Sequence, residues 1–287
     1  MTEPSEIYYG YRINRYITGL SIGIGIAAVL LVGVSIMRTY PLWAVILSGG
    51  MGVILCIFGL FWYFTMDAAT NPGTIELFKK YFGDFLRQIW DGKGKALDIG
   101  TGRGVAAITV AKQFPAAQVV GVDTWSRMWG WFGMTKEGCE LNARIEKVQD
   151  RCTFTKGNAL ELPFEEGTFG LVVSTFAFHE IRVPDRIVLF EEVLRVLMKG
   201  GCFLIFDMFP QGHGVNAVEE MVKKIEGLGA QEVIYTSLEE TGIELERLRH
   251  IKGIGFLMGK KSNNDRLGIT SSENSIEGRK SDNKGGK

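Results

Sequence analysis

Arg38 is the only charged side chain from Tyr16 to Met66. A bilayer-spanning helix needs about 20 consecutive apolar residues, and the uncharged runs Ile17–Met37 and Thr39–Met66 each supply them. The apolar core of a signal peptide is about 7–15 residues. The first run is longer than that, and a second follows at once. The pattern predicts a retained transmembrane hairpin with helices over about 17–37 and 42–64. A hairpin buried in a soluble core is the alternative, and two uncharged stretches in tandem argue against it.

The turn Arg38-Thr39-Tyr40-Pro41 is short, so both outer ends of the hairpin face one side. Small residues recur every four positions, as Gly19, Gly23 and Ala27 in the first helix and Ser48, Gly52 and Cys56 in the second. Such faces let backbones approach closely in lipid, either within the hairpin or between two copies in a homodimer. Tyr8, Tyr9, Tyr11 and Tyr16 precede the first helix, and Trp62 and Tyr63 close the second, as interfacial aromatic belts do. Arg12, Arg15, Lys79 and Lys80 outnumber Arg38. The positive-inside bias then predicts a multi-pass protein of the cell membrane, with both termini and the rest of the chain in the cytoplasm.

Four segments are expected along the chain: 1–66 with the two spans, 67–94 as linker and amphipathic helix, 95–261 as the globular domain, and 262–287 as a polar tail. The tail is Ser, Asn, Gly, Asp and Lys with scarcely an apolar residue, so it cannot bury enough surface to fold. Over the whole chain, 32 basic and 32 acidic residues leave none of the basic surplus of a nucleic-acid binder. Cys56, Cys139, Cys152 and Cys202 are too far apart for a CxxC pair, and His179, His213 and His250 form no HExxH pattern, so no metal site is expected.

Asn71-Pro72 is a helix-start signal, and Ile75, Phe78, Phe82, Phe85, Leu86 and Ile89 follow at helical spacing. This helix either packs on the domain or lies on the membrane surface. The pattern then alternates: strands at Lys95–Ile99, Gln118–Asp123, Thr153–Lys156, Thr168–Ser174 and Cys202–Phe206, and helices at Gly104–Phe114, Glu137–Val148, Pro184–Leu197 and Val215–Gly227. That is the signature of an α/β fold with a doubly wound, mostly parallel sheet. Ligands of such sheets bind at the carboxyl ends of the strands.

The first strand ends Leu97-Asp98-Ile99 and runs into Gly100-Thr101-Gly102-Arg103-Gly104. Glycines there admit positive φ and close approach of a ligand to the backbone. The next strand ends at Asp123, where a carboxylate can accept both hydroxyls of a ribose. The position of the third dinucleotide-fold glycine is Val105. Asp98 ahead of the loop disfavours a pyrophosphate by like-charge repulsion and suits a cofactor with a cationic centre. S-adenosylmethionine carries both a sulfonium and an amino group.

The series LDIGTGRG, VVGVD, GNALELPFEEGTFGLVVS and EEVLRVLMKGG resembles the class I S-adenosylmethionine-dependent methyltransferases of the quinone-biosynthesis type. The resemblance implies a Rossmann-like sheet of seven strands in the order 3-2-1-4-5-7-6, closed by an antiparallel hairpin near Glu232–Tyr235 and Ile254–Met258. It implies that Asp98 organises the glycine loop near the methionine amino group. Gly100, Thr101, Gly102 and Gly104 form the loop, Asp123 is the ribose acid, and Thr124 and Trp125 lie beside the adenosine. Asn158 stands where the family usually has aspartate, and an amide still offers an acceptor to the adenine amino group. Ala159 places a backbone N–H near the adenine, and Ser174 ends the fourth strand beside the methyl donor.

The acceptor side is less defined. The segment Ser174-Thr175-Phe176-Ala177-Phe178-His179-Glu180 lacks the Asn/Asp-Pro-Pro-Tyr of amide and base nitrogen methyltransferases. His179 is the candidate general base for a hydroxyl or phenol acceptor. Trp125–Met134 is rich in Trp, Met and Phe, and it reads as packing surface, pocket wall or membrane contact. The expectation is a membrane-anchored methyltransferase acting on a small or lipid-like acceptor. The rival readings are a non-catalytic cofactor-binding module and an NAD(P)-dependent oxidoreductase.

Overall fold

The computed structural model describes residues 14–37, 41–70, 72–127, 130, 133–209, 216–243 and 252–263. The expectations for Tyr8, Tyr9, Tyr11, Arg12, Arg38, Asn71 and the tail beyond 263 lie outside them, as do those for the side chains of Tyr16, Trp62 and Tyr63.

Helices α1 (Asn14–Met37) and α2 (Leu42–Thr70) pack along one another. A Cβ on Gly25 would lie 2.8 Å from the Gly52 carbonyl oxygen and 2.5 Å from Cys56 Sγ, and one on Gly59 would lie 2.6 Å from Ser21 Oγ. The face used by α2 therefore includes Gly52 and Cys56, as expected. The face used by α1 is not the Gly19, Gly23 and Ala27 stripe, for which packing within the hairpin is one of the two uses open from sequence. It is Ser21, Gly25 and Ala28, while Gly19 and Gly23 have no atom within 4 Å of where a Cβ would sit, and Ala27 is exposed. Two small-residue stripes share this helix, and spacing alone does not say which one the partner helix covers. Among the described residues, Leu42–Phe61 is the one segment long and apolar enough to cross a membrane, and α1 adds the shorter apolar segment Thr18–Val32.

Helix α2 continues past the expected end at 64 as far as Thr70, because no helix breaker precedes Pro72. Helix α3 (Pro72–Ile89) follows after one residue. It buries Phe78, Phe82 and Leu86, each worth about 1.5–3 kcal/mol of apolar transfer. The Phe78 ring lies 5.3 Å from Phe206 and the Phe85 ring 4.4 Å from Phe256. Of the two readings of α3, packing on the domain is the observed one.

The domain is built on a seven-stranded sheet in the order β3-β2-β1-β4-β5-β7-β6. Its strands are β1 (Gly94–Ile99), β2 (Ala117–Asp123), β3 (Cys152–Lys156), β4 (Phe169–Thr175), β5 (Leu197–Met208), β6 (Ala230–Ser237) and β7 (Ile254–Lys261). The first five pair in parallel and β7 runs antiparallel to both neighbours. This is the expected topology. Helices α4 (Val105–Gln113), α5 (Lys136–Ile145), α6 (Ile187–Val196) and α7 (Asn216–Gly227) complete the layers. One core holds α3 and α4 over Ala96, Leu171, Val173, Leu204 and Phe206, and the other holds α6 over Leu97, Val172, Phe203 and Ile205. Burial on both faces explains the unbroken apolar runs of β4 and β5.

Helix α6 starts three residues after the expected Pro184, because the Asp185 carboxylate accepts from the Ile187 N–H at 3.0 Å and holds the chain in a turn.

Candidate cofactor and acceptor site

The loop after β1 is held in left-handed backbone conformations, with φ of 70° at Gly100, 55° at Gly102 and 85° at Gly104. At Gly100 a Cβ would fall 2.2 Å from that of Ala177, so a side chain is excluded on two counts. The Gly100 and Thr101 N–H groups donate to the Val122 carbonyl, which ties the loop to the end of β2.

Asp98 lies beneath this loop, fully buried. Its Oδ2 accepts from Thr101 Oγ1 at 2.7 Å and from the Ala107 N–H at 2.9 Å, while Oδ1 has no hydrogen-bond partner. Burial pushes its carboxyl pKa up to about 7; the two hydrogen bonds pull against that, and the nearby Asp123 adds to it. A buried acid with an unmatched oxygen is a site for a cation or an ammonium donor.

Asp123 closes β2 at the same edge. Its Oδ2 accepts from the Gly102 N–H and its Oδ1 from the Trp125 N–H, both at 2.9 Å. Each oxygen keeps a lone pair for a hydroxyl. Trp125, at φ 38°, turns its indole back so that Nε1 donates to the Gly102 carbonyl at 2.9 Å. Cys139 Sγ also lies 3.1 Å from that carbonyl, and Asn142 Nδ2 donates to the Arg103 carbonyl at 3.0 Å. Arg103 is buried, with its guanidinium on the Gly133 carbonyl. The glycine loop is therefore clamped from the side of α5, a set of contacts the sequence reading missed. The Met128, Trp129, Trp131 and Phe132 part of the Trp-rich segment lies outside the described residues.

The other expected cofactor residues are dispersed along the same edge. Thr124 and Asn158 are exposed, and the Asn158 side chain accepts from the Leu160 N–H at 3.1 Å. Ala159 is half-buried against the second core. Ser174 is fully buried and its hydroxyl donates to the Ile99 carbonyl at 2.8 Å, which fastens β4 to β1.

On the acceptor side, His179 sits in a single 3-10 turn (Phe178–Glu180) after β4. Its Nδ1 is 2.6 Å from Oδ1 of Asp207 near the end of β5, and its Nε2 is 3.3 Å from Oε1 of Glu180. Asp207 is buried and also accepts from the N–H groups of Ala177, Phe178 and Met208. Burial of the imidazole disfavours its charged form, but the hydrogen bond and charge of Asp207, with the charge of Glu180, outweigh it and raise the His179 pKa. The Phe176 ring stands 6.1 Å from the imidazole and 5.0 Å from Phe206. Asp207 was not singled out from sequence. The available signal was a lone acid ending the apolar run Cys202-Phe203-Leu204-Ile205-Phe206.

The doubly wound sheet in this order carries at its carboxyl edge a glycine loop over a buried acid and a second acid ending β2. Residues 96–201 match the sequence model of a methyltransferase domain family. Similar curated proteins include the demethylmenaquinone methyltransferase of Staphylococcus aureus, 36% identical over 137 residues, which cover 47% of this chain and 52% of that one. Cycloartenol-C-24-methyltransferase 1 of Oryza sativa is 31% identical over 131 residues, 45% of this chain and 35% of that one. The chain therefore spans about half or less of the length of these relatives. A solved Nostoc punctiforme protein assigned as an O-methyltransferase shares the fold, with a TM-score of 0.51 at 19% identity over 69% of this chain and 60% of that one. Residues 96–201 are thus similar to a methyltransferase domain, and the unmatched Asp98 oxygen and the side-chain-free loop fit S-adenosylmethionine.

Proposed function

We propose that the chain is a membrane-anchored S-adenosylmethionine-dependent methyltransferase acting on a small or lipophilic acceptor that loses a proton as it is methylated. The observation that carries the reading is the placement of two separate polar devices at one sheet edge. The glycine loop with Asp98 and Asp123 is the first, and His179 with Asp207 is the second.

When bound, the cofactor supplies an already activated methyl group. Asp98 and the Gly100–Gly104 loop would hold its methionine end, and Asp123 its ribose. The protein's own work is then positioning and proton removal. Asp207 holds Nδ1 of His179 as the protonated nitrogen, which leaves Nε2, beside the exposed Glu180 carboxylate at 3.3 Å, as the nitrogen to take the acceptor's proton. An imidazole set by a buried acid supports a catalytic reading over a binding module. The unmatched carboxylate under the loop argues against a nicotinamide dinucleotide, whose pyrophosphate it would repel.

The apolar hairpin α1–α2 supports insertion in the cell membrane, multi-pass, with both termini cytoplasmic. A second copy, if the protein is a homodimer, would meet it at the open Gly19, Gly23 and Ala27 face.

The test is calorimetric titration of the full-length protein in detergent with S-adenosylhomocysteine, followed by methyl transfer to acceptors from membrane extracts. Micromolar binding lost in Asp123→Ala, with transfer lost in His179→Ala at unchanged binding, is the expected result. No binding by the folded protein overturns the reading.

A further inference from the structure

The direction of α3 relates the membrane hairpin to the site. Its last turn delivers the chain to the start of β1, at the amino edge of the sheet. There the Ile89 carbonyl lies 2.9 Å from Cys202 Sγ, and a Cβ on Gly170 at the start of β4 would lie 3.2 Å from the Trp90 indole nitrogen. Its earlier turns lie higher. Phe78 meets Phe206, four residues further along β5 and next to Asp207. Phe206 in turn meets Phe176, whose ring faces His179. Helix α3 thus climbs from the amino edge to the carboxyl edge as it is followed back toward α2. Thr70, the last residue of α2, precedes Phe78 by eight positions, about 12 Å of helix. The hairpin joins the domain on the side of the carboxyl edge, where the glycine loop and the His179–Asp207 pair are.

Two further features lie at that edge. Arg127, in the segment after β2, and Arg182, in the segment after β4, are exposed, and neither has a carboxylate within ion-pair distance among the described residues. The segment from Trp125 to Met134, which joins β2 to α5 at this edge, has the Trp-rich composition of membrane interfaces.

We infer that the carboxyl edge of the sheet is docked on the anionic bilayer surface that the hairpin enters, with Arg127 and Arg182 on lipid phosphates. The acceptor then reaches His179 from the headgroup layer without crossing bulk water. This inference rests on the transmembrane reading of α1–α2.

The test is photo-crosslinking of the full-length protein in vesicles of phosphatidylcholine and phosphatidylglycerol that contain a headgroup-diazirine phospholipid, with crosslinked peptides mapped by mass spectrometry. Crosslinks in 124–135 and 176–186, beyond those in the amino-edge segments 146–151 and 198–201, are expected. The double variant Arg127→Glu with Arg182→Glu should lower them at least about fivefold, the effect of a single basic residue at an anionic surface, while crosslinks in 14–61 persist. Crosslinks in 14–61 with carboxyl and amino edges labelled equally overturn the docking and leave the membrane reading standing. Absence of crosslinks in 14–61 as well overturns both.

Discussion

Nδ1 of His179 lies 2.6 Å from Oδ1 of Asp207, although 28 residues and helix α6 separate them in the chain. Three backbone N–H groups hold the Asp207 carboxylate in place, so the acid fixes the imidazole rather than following it. This pair turns a histidine at a strand end into a directed base.

His179→Ala should lower kcat about 10²–10⁴-fold, the usual share of a general base, with cofactor affinity unchanged. The rate should rise with pH through a pKa above the ordinary histidine value, because the base must be neutral to act. Asp207→Asn should move that rising limb to lower pH. A raised folded-state pKa also stabilises the fold below the unfolded pKa, and that contribution is lost as pH rises through the folded one. Denaturant unfolding of wild type and His179→Gln across pH 5–9 should show the difference shrinking toward high pH.

Asp98 acts on stability in the same direction, at lower pH. Its folded pKa of about 7 stands above the ordinary carboxyl value, so the folded protein binds more protons between the two. Stability should therefore fall as pH rises from about 4 through 7, and Asp98→Asn should flatten that decline. The same variant should bind S-adenosylhomocysteine about 10- to 100-fold more weakly, as expected for loss of a hydrogen bond to a charged group. In the wild type, binding of the ligand's ammonium group should release protons near pH 7. Calorimetry in buffers of different ionisation heat measures this.

Gly100→Ala combines a positive φ with a Cβ that would lie 2.2 Å from the Ala177 Cβ. Backbone strain of this kind costs about 1–3 kcal/mol, and the contact adds to it. Adding Ala177→Gly should restore the contact share and leave the φ share. A double-mutant cycle in denaturant separates the two.

In the hairpin, Gly52→Leu should destabilise by about 1–3 kcal/mol as overpacking does, because Gly52 faces the Gly25 carbonyl at 2.8 Å from its Cβ position. Gly23→Leu should leave the monomer within about 0.5 kcal/mol. Thermal unfolding in detergent of the two variants checks this; equal losses would restore the face expected from spacing.

Much of the architecture was legible from local chemistry. Glycines at 100, 102 and 104 declare a left-handed turn because a Cβ is costly there. The unbroken apolar runs of β4 and β5 declare strands covered on both faces. The positions of Asp98 and Asp123 followed from the strands that end in them. The strand order came from the resemblance rather than from spacing, and the structure has the same order.

Long-range pairing was not legible. Asp207 reads as one acid after five apolar residues until β5 is laid beside β4 and carries it to His179. Two stripes of small residues on α1 look alike in sequence, and only the helix crossing selects Gly25 over Gly23. The direction of α3 against the sheet is likewise absent from its own amphipathic pattern, which fixes a buried face but not an orientation. The sequence by itself determined the strands, helices and loops from β1 to α7 in outline, because these depend on side chains a few residues apart. Only the tertiary structure decided which side chains meet across the sheet, because those distances are set by packing the elements together.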